Sequence, residues 1–489
     1  MQITLDLNSA ADYATFLKIK TLPQYRFRGR TAYFPDEYAA RLGLAVELAG
    51  SHRYQPIADL FDYQQAIAEM AIAKQKFAVF AECGLGKTMI MLEYGKHAKA
   101  SLPSSRSVLI VSPLMVIGQT IAECRRWHGD SLPIEQVRAA NLTAWLNDAT
   151  PDKPIGITNY EALQDETPQG SLGSLIIDES SMLKSAYGKW GSHCLRLGRG
   201  LDWKLALTGT PAPNDRIEYA NHAVFLDAFP TVNSFLARFF VNRGQTNERW
   251  EMKPHASEPF YRAMSHWCIF LTNPATYGWR DNAETIPPIH VHIHEVGLTE
   301  NQKSQARDLT GTLFANGAGG IGNRAKLARI AKTGDSAKPA FICNLIASWP
   351  EESTIVWCRF NDEQDQLASV IPGAASISGS TPMEKRAEIV ADFQAGKIKT
   401  IVTKPKLLGF GLNLQVCTRQ VFSSLHDSYE EFHQAVKRSN RVGSSRPLNV
   451  HVPVTDVELP MVENVLRKAE RIQRDTEEQE RIFQHATVA

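Results

Sequence analysis

Two stretches of this sequence alternate short β-rich runs with helical segments, and this alternation limits the folds that the chain can adopt. In the first stretch, from about residue 60 to 225, the runs are Phe77–Phe80, Ser107–Ser112, Gly156–Asn159, Ser174–Ile177 and Lys204–Thr208. In the second, from about residue 352 to 455, they are Ser353–Cys358, Ala375–Ser378, Lys399–Thr403, Gln420–Ser424 and Asn449–Val454. Strands that alternate with helices form βαβ units and parallel sheets. We therefore predict an α/β fold with two parallel-sheet lobes.

The domain boundaries follow from where the alternation starts and stops. We expect a small α+β module at residues 1–50, lobe 1 at 55–225, a helical insertion and connection at 226–339, lobe 2 at 340–455 and a C-terminal helix at 456–489. The N-terminal module is predicted to hold a strand at Gln2–Leu7, a helix at Ala10–Lys20 and a hairpin at Tyr25–Phe34. The connection is predicted to be mostly helical, with one strand at Ile289–Val296.

Charge and cysteine content exclude several classes of protein. The chain has 53 Lys and Arg against 52 Asp and Glu, a net charge of +1, so nucleic-acid binding must depend on local basic patches. No apolar stretch has membrane-spanning length, and the N-terminus has no secretory pattern. The 7 cysteines include no CxxC pair. These features predict a reduced, cytoplasmic protein.

A glycine-rich loop, Ala81–Thr88, stands between an apolar strand and a helix. Backbone N–H groups around Gly84, Leu85 and Gly86 can enclose phosphates, Lys87 can reach the β- and γ-phosphates, and the Thr88 hydroxyl can bind Mg²⁺. Its first position is Ala81, where the general pattern has glycine. The loop predicts a binding site for ATP and Mg²⁺.

Two further signals suit phosphoryl transfer. The strand Ser174–Ile177 ends in Asp178, which can hold Mg²⁺, and Glu179, which can orient or deprotonate the attacking water. Arg438 and Arg441, three positions apart on a predicted helical face, can stabilise transition-state charge. Without this context, a basic solvated helix would be the better explanation of the two arginines.

In their order and spacing, these motifs resemble those of the Swi/Snf-type ATPases of helicase superfamily 2. The similarity runs from about Phe61 to Thr455 and includes segments that resemble motifs Ia, III, IV, V and VI, among them Val111–Pro113, Leu207–Asn214, Ile355–Phe360, Gly409–Leu414 and Gln434–Arg441. Asn214–Leu226 and Phe235–Phe240 resemble the paired helices that this family adds to lobe 1. One departure is Asp178-Glu-Ser-Ser181, where Asp-Glu-Ala-His is common, so coupling between the ATP site and motif III is expected to differ in detail.

The resemblance implies a fold and a set of residue roles. The lobes would be RecA-like, and Gln64 would read the adenine base. Arg438 and Arg441 would act from lobe 2 as arginine fingers. Nucleic-acid contacts would come from Pro113, Asn159, Tyr160, Arg359, Thr403 and Lys404.

The N-terminal module resembles the HARP domain of annealing helicases and their phage relatives. Leu22–Pro35 carries Arg26, Arg28 and Arg30 interleaved with aromatic residues, a pattern suited to phosphate contact and base stacking. The resemblance implies recognition of duplex or forked DNA. The alternative is a small packing module whose aromatic residues form its core.

Together these features predict a monomeric, DNA-dependent ATPase that translocates on double-stranded DNA and remodels or anneals branched DNA, or displaces bound proteins. The alternatives are a strand-separating DNA or RNA helicase and an ATP-gated DNA clamp. Three histidines on Ile289–Glu295 are expected to lie on a solvent-facing strand surface, with a zinc site disfavoured. The acidic run Asp475–Glu480 is expected to form a solvated helix face.

Overall fold

The chain forms two compact units in its computed structural model. The first contains residues Met1–Ala283 and Arg474–Ala489, and the second contains Glu284–Gln473. The structure describes residues 2–6, 9–22, 25–34, 42, 54–184, 188–244, 250–281, 286–310, 326, 329–330, 335–408, 414–425, 428–441 and 444–488. Among these residues, no helix has both the length and the apolar character needed to cross a membrane.

The N-terminal part of the first unit is a three-stranded antiparallel sheet with one helix. Its elements are β1 (Gln2–Thr4), α1 (Ala10–Thr21), β2 (Arg26–Arg28) and β3 (Thr31–Tyr33), with strand order β1-β3-β2. The Ser9 hydroxyl caps α1 by accepting from the Asp12 amide at 3.2 Å. Gly29, with φ of +59°, makes the tight turn of the β2–β3 hairpin. The predicted helix and hairpin are both present.

The remainder of the first unit surrounds a seven-stranded parallel sheet. Its elements in chain order are α2 (Asp62–Lys74), β4 (Lys76–Ala81), α3 (Lys87–Ser101), β5 (Ser107–Ser112), α4 (Leu114–His128), β6 (Ile134–Gln136), α5 (Ala139–Asn147), β7 (Ile155–Asn159), β8 (Leu172–Asp178), α6 (Lys189–Leu197), β9 (Trp203–Thr208), α7 (Tyr219–Phe225), α8 (Val232–Phe239), β10 (Phe240–Asn242), β11 (Trp250–Met252), α9 (Ser257–Met264) and β12 (Cys268–Leu271). The strand order is β12-β4-β9-β8-β5-β7-β6. Every residue of β5 and β9 is buried, as expected for a parallel sheet covered on both faces.

The second unit contains a six-stranded parallel sheet. Its elements are β13 (Ile289–Glu295), α10 (Glu300–Thr310), α11 (Lys338–Ala347), β14 (Thr354–Trp357), α12 (Asn361–Val370), β15 (Ala375–Ile377), α13 (Met383–Gln394), β16 (Thr400–Thr403), β17 (Arg419–Phe422), α14 (Tyr429–Val436), β18 (Leu448–Val454) and α15 (Leu459–Val488). The strand order is β13-β18-β17-β14-β16-β15. The two parallel sheets confirm the predicted α/β fold class with two lobes.

The segment predicted as a helical connection contributes a strand to each sheet. β12 pairs in parallel with β4, the strand before the phosphate loop, and β13 pairs in parallel with β18. The same segment also contains the β10–β11 pair. In addition, α15 contains the point at which the two units divide, between residues 473 and 474. Both sheets therefore reach further along the chain than the alternation pattern indicates.

Candidate active site

The phosphate loop leads from the buried end of β4 into the first turn of α3. Gly84 and Gly86 adopt left-handed φ values of +94° and +67°, which glycine adopts without strain. A Cβ on Gly86 would lie 2.1 Å from the Gln64 amide nitrogen, so this position also has no space for a side chain. The helix that follows has 15 residues, and its N-terminal amides face the loop. This part of the structure fits a nucleotide phosphate.

Helix α2 supports the loop from one side. The Tyr63 hydroxyl donates to the Leu85 carbonyl at 3.1 Å, and the Gln64 amide nitrogen lies 3.5 Å from the same carbonyl. The Gln64 side-chain oxygen accepts from the Phe61 amide at 3.1 Å. Gln64 is thus buried against the phosphate loop. Reading an adenine base would require this amide to exchange these partners.

Lys87 and Asp178 lie close together at the carboxyl edge of the sheet. The Lys87 ammonium donates to the Ala81 carbonyl at 2.8 Å. Asp178 ends β8, and its carboxylate accepts from the Ser112 hydroxyl at 2.8 Å. Burial raises the pKa of Asp178, while the Ser112 hydrogen bond and the Lys87 charge act in the opposite direction. With the Thr88 hydroxyl on α3, this carboxylate supplies the hard oxygen ligands that suit Mg²⁺.

Glu179 is held in an uncommon backbone conformation. Its φ of +51° lies in the left-handed region, which costs a residue with a side chain roughly 1–2 kcal/mol. The Thr208 hydroxyl donates to the Glu179 carboxylate at 2.9 Å. The Tyr160 hydroxyl hydrogen-bonds the Asp178 carbonyl and lies 3.2 Å from the Glu179 carbonyl. Strain maintained by several contacts is characteristic of functional positions.

The two arginines of the second unit do not share a helical face as predicted. Helix α14 ends at Val436, and Arg438 and Arg441 lie in the turns that follow. At the end of the helix, the buried Gln420 amide donates to the Ala435 carbonyl at 3.1 Å and to the Ser439 hydroxyl at 2.8 Å. Arg438 is buried, and the Arg441 guanidinium donates to the Lys437 carbonyl at 2.8 Å.

Two of the predicted nucleic-acid contacts are core residues. Tyr160 is 1% exposed and holds the backbone of Asp178 and Glu179, as described above. Thr403 is fully buried, and its hydroxyl donates to the Ile377 carbonyl at 2.9 Å. Neither side chain reaches the surface in this arrangement, so the structure does not support a nucleic-acid contact for either. The sequence motif placed both at strand ends, but it did not show which way their side chains point.

The other nucleic-acid candidates are at least partly exposed. Pro113 directly follows β5, and Asn159 is the last residue of β7, the neighbouring strand of the first sheet. In the second unit, Arg359 and Lys404 line one groove at the carboxyl edge, together with Lys406. The buried Glu363 carboxylate fixes this edge by accepting from the Arg359 amide at 2.9 Å and from the Ser423 hydroxyl at 2.6 Å. The predicted motif V residues 409–413 lie outside the described residues.

The N-terminal sheet separates its aromatic residues from its exposed basic ones. Phe27 and Tyr25 pack against a small core around Ala32, and the Lys20 ammonium lies 5.3–5.7 Å from their ring centroids. This favours a packing role for these two rings over base stacking. Arg28 and Arg30 are exposed, and Arg26 pairs in register with Tyr33.

Sequence reasoning missed two residues at the site and misread one other feature. It gave no role to Ser112, which lies beside Asp178, or to His222, whose Nε2 lies 3.0 Å from the Ser180 hydroxyl. The acidic run of α15 is not a solvated face, because Asp475 and Glu480 are buried. On β13, His290 and His292 are exposed and His294 is partly exposed, as predicted for a solvent-facing strand surface. His292 contacts Asn449 at 2.9 Å, and His294 contacts His451 at 3.0 Å. The described residues contain no group of three or more His, Cys, Asp or Glu positioned to hold a metal ion.

Two family models match successive parts of the chain. Residues 70–330 match the SNF2-related domain, and residues 337–443 match the helicase conserved C-terminal domain. Protein p41 of Acyrthosiphon pisum secondary endosymbiont phage 1 is 24% identical over 84% of this chain and 96% of its own length. The ATP-dependent helicase fft1 of Schizosaccharomyces pombe is 32% identical over 25% of this chain, and the helicase/translocase YwqA of Bacillus subtilis is 21% identical over 76%. The chain spans 14% and 43% of the lengths of these two helicases.

Solved structures with a similar arrangement include the Sulfolobus solfataricus SWI2/SNF2 ATPase core in complex with double-stranded DNA. It is 20% identical with a TM-score of 0.42, over 83% of this chain and 90% of that one. The same core domain solved alone is 18% identical with a TM-score of 0.40, over 86% of this chain and 90% of that one. The SNF2-related match alone covers more than half of the 489 residues. The chain therefore belongs to the SNF2-related family of DNA-dependent ATPases.

Proposed function

We propose that this chain is an ATP-driven translocase on double-stranded DNA, which remodels or anneals branched DNA or displaces proteins bound to it. The observation that carries the proposal is the convergence of Lys87, Asp178 and Glu179 at the carboxyl edge of one parallel sheet. β4 and β8, which lead into these residues, flank the single strand β9. Such an edge is where α/β sheets bind their ligands.

In the proposed reaction, Gly84, Leu85 and Gly86 bind the phosphates through backbone amides, and Lys87 compensates their charge. Thr88 and Asp178 would hold Mg²⁺, which supplies further positive charge to the phosphates when bound. Glu179 orients or deprotonates the attacking water. The hydroxyl of Thr208 donates to this carboxylate at 2.9 Å and so helps to fix its orientation.

The remaining roles are proposed from the motif positions. Gln64 reads the base once it releases the phosphate loop. Arg438 and Arg441 stabilise charge in the transition state, so their loss is expected to lower turnover far more than ATP affinity. Arg359 and Lys404 contact the DNA backbone, a role supported by their shared groove with Lys406. Pro113 and Asn159 do the same from the first unit.

The N-terminal module is proposed to direct the motor to forked or branched DNA, as the resemblance to the HARP domain implies. Its exposed Arg28 and Arg30 support this role, because they offer positive charge beside the hairpin turn. Thr31, which pairs in register with Arg28, contacts the Thr4 hydroxyl at 3.1 Å, so short polar side chains flank the charge. Phosphate contact, without base stacking by Tyr25 or Phe27, is the mode that this arrangement favours.

A triplex displacement assay tests translocation directly. The wild-type protein with ATP is expected to remove a third strand from a duplex that it does not unwind. Glu179→Gln, which keeps the size of the side chain but cannot act as a base, is the control and should leave the triplex intact. Unwinding of a forked duplex without triplex displacement would favour the strand-separating helicase. DNA-stimulated hydrolysis without either outcome would favour the clamp.

A further inference from the structure

Ser180, in the second half of the Asp178–Ser181 segment, forms a hydrogen bond with a residue that lies outside the motifs described above. The Ser180 hydroxyl lies 3.0 Å from Nε2 of His222, which belongs to α7. Both residues are fully buried. The pair joins the turn that begins at Glu179 to a helix that follows motif III, 42 positions further along the chain. At this segment, where Asp-Glu-Ala-His is common, the sequence has serine and offers no histidine of its own.

His222 packs against β4, the strand that leads to the phosphate loop. Its ring packs edge-on against Phe80 of β4, with centroids 5.2 Å apart and an interplanar angle of 86°. Burial lowers the pKa of His222 to about 4, so the imidazole is neutral at physiological pH. Nε2 of the neutral ring donates a hydrogen bond to the Ser180 hydroxyl or accepts one from it, depending on the tautomer.

The pair contributes to the constraint on Glu179. Thr208 holds the carboxylate of Glu179, and Tyr160 hydrogen-bonds the backbone before it. Ser180 is the next residue, so its bond to His222 restrains the backbone on the other side of the left-handed position. A residue keeps an unfavourable backbone conformation only when contacts with the surrounding structure hold it there.

We propose that His222 is a positioning residue for ATP hydrolysis, which holds Glu179 in its working orientation through Ser180. The proposal rests on the proposed role of Glu179 in acting on the attacking water. His222 itself does not touch the reacting atoms.

Variants at the two positions test the pair. His222→Phe keeps the ring and removes both nitrogens, and Ser180→Ala removes the hydroxyl. Each is expected to lower kcat for ATP roughly fivefold to tenfold, the range for one hydrogen bond, and to leave KM within about twofold. Both single variants remove the Ser180–His222 side-chain contact, and His222→Phe also removes the interactions of the ring with the Glu218 and Ser180 backbones. The double variant should therefore be no slower than His222→Phe alone. His222→Gln, whose amide reaches about as far as Nε2, should recover most of the rate, and His222→Asn should not.

The results separate this inference from the role of Glu179. If Glu179→Gln abolishes hydrolysis but His222→Phe and Ser180→Ala retain wild-type kcat, Glu179 acts as proposed and the His222 inference is wrong. If Glu179→Gln hydrolyses ATP at the wild-type rate, the role of Glu179 itself is wrong. Equal losses for His222→Gln and His222→Asn, accompanied by lower melting temperatures, would assign His222 a purely structural role.

Discussion

Lys87 is the side chain on which the proposed phosphate site depends most. Lys87→Ala is expected to reduce ATP hydrolysis by roughly a hundredfold or more and to leave the fold intact, since the ammonium donates to carbonyls of the phosphate loop. Steady-state hydrolysis with saturating DNA, together with a thermal melt, measures both effects. Lys189→Ala, which removes an exposed lysine of the same unit, is the matched control. A rate near wild type for Lys87→Ala would overturn the site.

Ser112 is expected to influence how ATP hydrolysis depends on pH. In the proposed reaction Asp178 holds Mg²⁺ as a carboxylate, and burial raises its pKa, so the ionised form is lost at a higher pH than for a free aspartate. Ser112→Ala removes a hydrogen bond that lowers this pKa, so the acid limb of kcat/KM should move to higher pH. Ser107→Ala, at the other end of β5, removes a buried hydroxyl that contacts Ser171 and should leave the limb unchanged. An unmoved limb in Ser112→Ala would mean that another group controls it.

The sequence predicted contiguous site residues and missed those brought together by packing. Gly84–Thr88 could be predicted because the chemistry needs those residues in one loop between a strand and a helix. His222 could not, because its contact with Ser180 depends on how α7 packs beside β4. Tyr160 lies where the motif predicts, but its orientation is set by burial against the Asp178 backbone. Whether Gln64 and the two arginines act as expected stays a prediction.

Among the elements, α15 makes polar contacts with the first unit that should contribute strongly to stability. The buried Asp475 carboxylate forms an ion pair with Arg216, in the turn before α7. Asp475→Ala leaves the largely buried Arg216 charge without this partner and should lower the free energy of unfolding by about 2–4 kcal/mol. Glu478→Ala on the same helix breaks the exposed pair with Arg481 and should cost less than about 1 kcal/mol. Denaturant unfolding of both variants makes the comparison, and equal effects would contradict it.

Strands that complete the sheets were harder to predict than the strands at their centres. Ser107–Ser112 was predicted with its observed bounds, because a fully buried strand is a continuous apolar run between turns. Cys268–Leu271 has only four residues, and its assignment comes from pairing with a strand 190 positions earlier. Ile289–Glu295 was predicted as a strand but assigned to the connection, since only its pairing with β18 places it in the second sheet. The pairing of distant strands is a tertiary property that local patterns do not contain.

At the scale of the whole molecule, buried neutral histidines should make stability depend on pH. Burial lowers the pKa of His128 and His222 to about 4, and that of His451 to about 3. Below the unfolded value of about 6.5 the unfolded chain binds protons that the native state does not, so stability falls as the pH drops. The loss should approach about 1.4 kcal/mol per pH unit for each histidine between roughly pH 6 and 4. Urea unfolding across this pH range measures the loss of unfolding free energy. The double variant His128→Gln with His222→Gln should make the unfolding free energy of the first unit depend less on pH.

Removal of residues 1–50 should separate targeting from hydrolysis. All the assigned ATP-site residues follow Phe61, so the truncated protein should keep DNA-stimulated hydrolysis. Its preference for forked over linear duplex should shrink, and Arg28→Ala with Arg30→Ala in the full chain should reproduce part of that loss. Each phosphate contact removed should also reduce the slope of the logarithm of the DNA-binding constant against the logarithm of the salt concentration by about one unit. An unchanged ratio between the two substrates would identify the N-terminal module as a packing element.

The left-handed backbone at Glu179 places two kinds of selection in conflict at one codon. Glycine and asparagine adopt this conformation more readily than glutamate, by roughly 1 kcal/mol for glycine. A library randomised at this codon and screened for heat resistance alone should therefore enrich residues that have no carboxylate. The same library screened for turnover should return glutamate. Thermostable variants of this enzyme are thus best selected with codon 179 held fixed.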